Sequence, residues 1–144
     1  MKLKIDNEAL AEEFFEDSVL LGLVAPIKDY QLSWQVNQML NIDFRMSEDL
    51  EINLVKKNRN YRFSMYEYKV PSVTLAHYLY NNEHEGEFLL PEFKHLDFLW
   101  LIKGDNIEKE WLQDLIQAVR MISGVQLVTE MTHEKIKNKQ YLIF

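Results

Sequence analysis

The chain has 144 residues, 47% of them hydrophobic, and a formal net charge of −7 from 16 Lys and Arg against 23 Asp and Glu. Four glycines and three prolines leave it able to bury a sizeable core and exclude disordered or collagen-like chains. The absence of cysteine excludes disulfides, thiolate metal sites and a Cys nucleophile, and the acidic balance argues against a general phosphate-backbone binder.

No linker, repeat or composition shift divides the sequence, so residues 1–144 are read as one domain. No apolar run approaches the ~18 residues of a membrane helix. Six acidic residues upstream of Val19, from Asp6 to Asp17, oppose a secretory signal. The expectation is a cytoplasmic protein without a membrane partner.

In chain order, Leu3 to Ile5 reads as a short strand and Glu8 to Phe15 as an acidic helix with Leu10, Ala11 and Phe14 on one side. Val19 to Val24 has buried-strand length and is stopped by Pro26. Asp29 is placed to cap a helix running to Leu40, with Leu32, Val36, Met39 and Leu40 on one face and Asn41 as its left-handed stop. Strands are expected at 50–55, 61–68, 73–80, 87–90 and 96–102. The stripe Ile107, Trp111, Leu115, Ala118 and Ile122 predicts a helix over 107–121, opened by an Asp105–Glu108 capping box and ended by Gly124. Strands at 125–130 and 141–144 complete the sheet. Most connections are too short for parallel crossovers, so the fold class is α+β. A mainly antiparallel sheet carries two or three helices, and segments 19–55 and 96–130 hint at two split βαβ units.

The run Leu90-Pro91-Glu92-Phe93-Lys94-His95-Leu96-Asp97-Phe98 resembles the motif of the IPExxxVDY family, bacterial proteins named for that pattern. Pro91, Glu92 and Asp97 match it, Leu90 and Leu96 replace Ile and Val, and Phe98 replaces Tyr and loses the hydroxyl. Leu21-Gly22 followed by Asp29, Tyr30, Trp34 and Asn37 is similar to the family's other characteristic stretch. The resemblance implies no activity, cofactor or partner.

Chemistry is sparse. No phosphate cradle, nucleophile elbow or H-E-x-x-H element is present, and His77, His84, His95 and His133 are scattered. No metal or cofactor is expected. Asp97 and His77 are read as satisfied structural groups, Glu92 and Asp97 as too far apart along an extended chain to form an acid/base pair. The alternative is an enzyme that gathers Asp97, Glu92 and His77 from remote parts of the chain. Lys56, Lys57, Arg59 and Arg62, interleaved with Tyr61 and Phe63, read as a solvated hairpin in preference to a nucleic-acid surface.

With Val70-Pro71-Ser72 taken as a three-residue hairpin loop, Lys69 pairs with Val73. Arg62, Tyr66, Tyr68, Tyr78 and Tyr80 then share one sheet face. That tyrosine surface points to a non-catalytic binding or protein-interaction module, and to a homodimer formed through it or a neighbouring sheet edge. Within α-helical 29–40, Asp29, Tyr30, Trp34 and Asn37 are read as structural: Asp29 as the cap, Trp34 packed on the sheet with its N–H paired.

Overall fold

A computed structural model describes the backbone of residues 2–132 and 135–144, and the side chains from residue 9 onward within those ranges. His133 lies outside them. The architecture is α+β. Helix α1 (Lys2–Phe15) leads into β1 (Ser18–Val24), α2 (Asp29–Leu40), β2 (Arg45–Lys56), β3 (Arg59–Lys69) and β4 (Ala76–Asn81). A small ribbon of β5 (Glu83–His84) and β6 (Glu87–Phe88) follows, then β7 (Phe98–Lys103), α3 (Lys109–Arg120) and β8 (Leu127–Met131).

The main sheet has the order β2-β3-β4-β7-β1-β8, and each of its ladders is antiparallel. Strands β7 and β8 flank β1 and run parallel to each other, so β7–α3–β8 is a split βαβ unit. The β1–α2–β2 connection instead crosses three strands. β7 is central and buried on both faces: Phe98, Trp100 and Ile102 pack on the helix side, Leu99 and Leu101 on the other.

Leu32 and Val36 of α2 and Leu112, Ile116 and Val119 of α3 cover the first face. The second is covered by Phe15 of α1, by Leu89 and Leu90, and by Ile136 and Leu142 near the C-terminus. There the expected strand at 141–144 is instead a 3-10 turn over Lys139–Leu142. The hydroxyl of buried Tyr80 donates to the Leu142 carbonyl at 2.7 Å and the Phe144 ring packs on Tyr78, holding this segment across the sheet as a cover. At the other end, residues 3–5 are helical, within α1, and Leu10 is exposed while Ala11 and Phe15 point inward.

Two further expectations are corrected. Helix α3 begins at Lys109 without a side-chain cap, and Asp105 pairs with Thr74 at 3.4 Å. The tyrosine face does not form. Lys69 pairs with Ala76 rather than Val73, because the β3–β4 loop spans six residues closed by Val70 N–H donating to the Leu75 carbonyl at 2.9 Å. A shift of three residues is odd, so it moves every β4 side chain to the opposite face. Tyr66 and Tyr68 lie with His77 and Leu79 under the helices, while Tyr78 and Tyr80 lie with Met65 on the other face. Tyr66, Tyr78 and Tyr80 are core residues and Arg62 remains exposed on β3.

Candidate functional site

Of the residues singled out by the two motif stretches, Asp29, Asn37, Glu92 and Asp97 serve the fold, whereas Tyr30, expected to be structural, stands exposed with Trp34 on the outer side of α2. Asp97 Oδ2 accepts the Ala25 N–H at 2.7 Å, and its own N–H donates to the Leu23 carbonyl at 2.8 Å, so this carboxylate fastens the exit of β1 to the entrance of β7. Pro91 opens a 3-10 turn, Pro91–Phe93, that presents Glu92 to the C-terminal segment. The Glu92 carboxylate accepts the N–H groups of Lys137 and Asn138 and the Asn138 side-chain amide, at 2.7, 3.0 and 2.9 Å. Burial alone would raise its pKa, but these hydrogen bonds outweigh it and hold the group below the ordinary carboxylate value.

Sequence reasoning missed the residue around which this loop is wrapped. Asn82 is fully buried. Its amide donates to the Phe93 and Leu96 carbonyls at 3.0 and 2.9 Å and accepts the Leu90 N–H at 2.9 Å. An asparagine within an apparent turn gives no periodic signal, and only the fold shows that the motif closes on it.

His77 is buried beside Phe44, Tyr68, Trp100 and Trp111. Its Nδ1 accepts the Trp100 indole N–H at 3.0 Å, which places the proton of the neutral ring on Nε2. Desolvation pulls its pKa down to about 4. Asp97 lies beyond the Asn81–Phe98 pair, roughly 16 Å along the ladder from His77. Glu92 faces the C-terminal turn, so Glu92, Asp97 and His77 are not brought to one site. Among the described residues no group of three His, Cys, Asp or Glu side chains is arranged to hold a metal ion.

The basic and aromatic residues of the β2–β3 hairpin separate as well. Lys57 and Asn58 form its turn with positive φ, and Lys56 and Arg59 pair with Glu87 and Glu85 at 3.5 and 3.6 Å. Tyr61 and Phe63 point into the core.

A cleft of about 350 Å³ lies near the start of α2, between Lys28, Asp29, Ser64, Asn81, Glu83, His84 and Asp97. Its acids are engaged by their own chain. Asp29 is the first helical residue rather than the cap: its Oδ1 accepts the Tyr30 N–H at 2.9 Å and its Oδ2 accepts the Asn81 amide at 3.1 Å. The Lys28 N–H at the cap position is taken by Gln31 Oε1 at 2.9 Å. Burial and the Asp29 carboxylate together push the Tyr66 hydroxyl up to about 12. Glu83 Oε1 accepts the Gly86 N–H at 2.7 Å.

What α2 leaves outside is different in kind. Its inner line is Leu32, Ser33 and Val36, with the Ser33 hydroxyl donating to the Asp29 carbonyl at 2.9 Å. At its far end the Asn37 side chain pins Phe44, donating to its carbonyl at 3.0 Å and accepting its N–H at 2.8 Å. Asn41 closes the helix with φ 53°. The outer line carries Tyr30 and Trp34, one turn apart and 61% and 63% exposed, with Gln31, Gln38 and Met39 beside them. Trp34 thus faces away from the sheet, against expectation. A shallow hollow lies between Tyr30, Gln31, Trp34 and Gln35. Gln35 Oε1 is buried and finds no donor among the described residues.

The chain matches no protein-family model and no curated protein. Among the described residues, no helix is long and apolar enough to cross a membrane.

Proposed function

We propose that this chain is a non-catalytic protein-interaction module whose contact surface is the outer face of α2. The observation that carries this is the exposure of Tyr30 and Trp34 on a helix whose residues 30–40 contain no charge. Tyr, Trp and Met are enriched and charges depleted at protein contact cores, and a Trp–Tyr pair in a shallow hollow has the composition of a binding hot spot. Tyrosines 66, 68, 78 and 80 no longer support it, since they are spent within the fold. The reading as an enzyme gains no support from Glu92, Asp97 and His77, each of which is occupied elsewhere.

We also propose membership of the IPExxxVDY family, resting on residues 90–98 and on Asp29, Tyr30, Trp34 and Asn37, and a cytoplasmic setting, resting on the cysteine-free composition. No nucleic-acid role is proposed for a chain of net charge −7 whose hairpin aromatics are buried.

Capture from native lysate tests the module. Immobilised wild type is expected to retain a protein that the Tyr30→Ala, Trp34→Ala double variant loses and that a Gln113→Ala variant on α3 keeps. Identical capture by all three refutes the reading.

A further inference from the structure

We infer that the outer face of α2 pairs with a second copy of this chain about a two-fold axis. This rests on the reading of that face as the contact surface and names its partner.

Charge is the first reason. A chain of net charge −7 repels its own copies wherever acidic surface meets acidic surface, and a two-fold contact sets each patch against itself. An uncharged patch escapes that repulsion. Residues 30–40 supply one, presenting Tyr30, Gln31, Trp34, Gln38 and Met39 outward without a single ionised group. A different protein partner would gain speed and selectivity from complementary charge, and this face offers none to read.

Hydrogen-bonding chemistry is the second. An amide both donates and accepts, so glutamines are self-complementary across a two-fold axis. In an antiparallel pair centred on Trp34, Tyr30 of one copy stands opposite Gln38 of the other, since each lies one turn from the centre. Gln35, which lines the hollow beside Trp34, carries a buried Oε1 that finds no donor among the described residues.

Area is the third. Tyr30 and Trp34 each leave roughly 100–150 Å² uncovered, and with Met39 and the glutamines the face offers about 500 Å² per copy. Two copies bury about 1,000 Å², the size of a weak, reversible interface, so association is expected only at high protein concentration. The sheet edge at β2 competes poorly. Its outer strand carries Arg45, Glu48, Asp49, Glu51 and Lys56, and its register breaks between Met46 and Glu51.

Sedimentation equilibrium of the full chain decides. Wild type is expected to approach twice the 17.3 kDa of one chain at about 100 µM. Raising salt from about 0.1 to 0.5 M should leave the association unchanged or tighten it, because screening acts only on the repulsion outside the contact. Trp34→Glu should weaken dimerisation by roughly thirty-fold or more, and Gln38→Glu should weaken it without touching an aromatic. Gln113→Glu on α3 should not. Circular dichroism melting of each variant separates dissociation from unfolding. A wild-type mass of one chain at that concentration overturns self-pairing, and so does a dimer that survives both α2 variants. If the wild type is monomeric while lysate capture still depends on Tyr30 and Trp34, self-pairing fails and the interaction module stands. If that capture difference is also absent, both fail.

Discussion

Helices α2 and α3 have twelve residues each and lie on the same face of the sheet, yet they meet solvent in opposite ways. Both bury an aliphatic line, Leu32 and Val36 in one, Leu112, Ile116 and Val119 in the other. Outward, α3 carries Lys109, Glu110, Asp114 and Arg120, as a solvated helix usually does. Arg120 even returns to the fold, donating to the Val128 carbonyl at 3.0 Å. α2 carries Tyr30, Trp34 and Met39 among glutamines. The inner faces answer to the same requirement, so the outer faces differ for a reason other than folding.

The largest expected effects are those that should not distinguish the helices. Leu32→Ala and Ile116→Ala each remove a fully packed side chain from the same core and should each cost about 2–5 kcal/mol in urea unfolding. A cost below about 1 kcal/mol at Leu32 alone would mean that α2 is not anchored as α3 is, and would break the comparison at its base.

Next is the seam under both helices, where His77 touches Phe44 after α2 and Trp111 on α3. Its pKa is about 4 folded against 6.5 unfolded, so the unfolded chain takes up the proton first as pH falls. The stability this represents is complete above pH 6.5 and drains as pH drops toward 4, by about 3 kcal/mol in all. Depressed Glu92 adds loss of the same sign at lower pH. His77→Gln keeps an acceptor for the Trp100 N–H and should flatten the part of the slope above pH 5. An unaltered slope would place the titrating group elsewhere.

A smaller effect isolates the end of α2. Asn37→Ala releases both backbone groups of Phe44 and should cost about 1–3 kcal/mol, since they are partly buried. α3 ends without such a clamp, through Met121 N–H bonded to the Ala118 carbonyl.

Legibility in the sequence follows the same division between inner and outer. The end of α2 at Leu40 is readable because Asn41 punctuates it, and its start is readable to within one residue, Asp29 being the first helical residue rather than the cap. Its rotation is not, since Trp34 sits beside the apolar stripe and hydropathy draws it inward, whereas small Ser33 is the residue that lets the helix approach the sheet. β7 is readable because a strand buried on both sides is apolar throughout. The β3–β4 register is not, because it hinges on whether the loop has three residues or six. Ser72, at φ 68°, gives no glycine signal for the longer one. Asp97 is readable as a structural carboxylate, but the bonds of Glu92 to Lys137 and Asn138 are not, and Asn82, which holds their loop, is silent.

The smallest stability effect tests the comparison most directly, because both helices carry an outward tryptophan. Trp111 is 37% exposed and its ring lies 6.1 Å from His77, so it closes the seam beneath α3. Trp34 is 63% exposed, and its neighbours in the hollow are Tyr30, Gln31 and Gln35. Trp111→Ala should therefore cost about 1–2 kcal/mol through lost packing. Trp34→Ala should cost under about 0.5 kcal/mol. The measurement needs dilute protein, because any dimer binds only the folded state and would lend Trp34 a concentration-dependent stability that the monomer lacks. Urea unfolding of both variants over a range of concentrations separates the two contributions. A Trp34 effect that is small when dilute and grows with concentration assigns the residue to a contact between copies. One that is large at every concentration makes Trp34 a folding residue after all, and the outer faces of α2 and α3 would then differ in composition without differing in purpose.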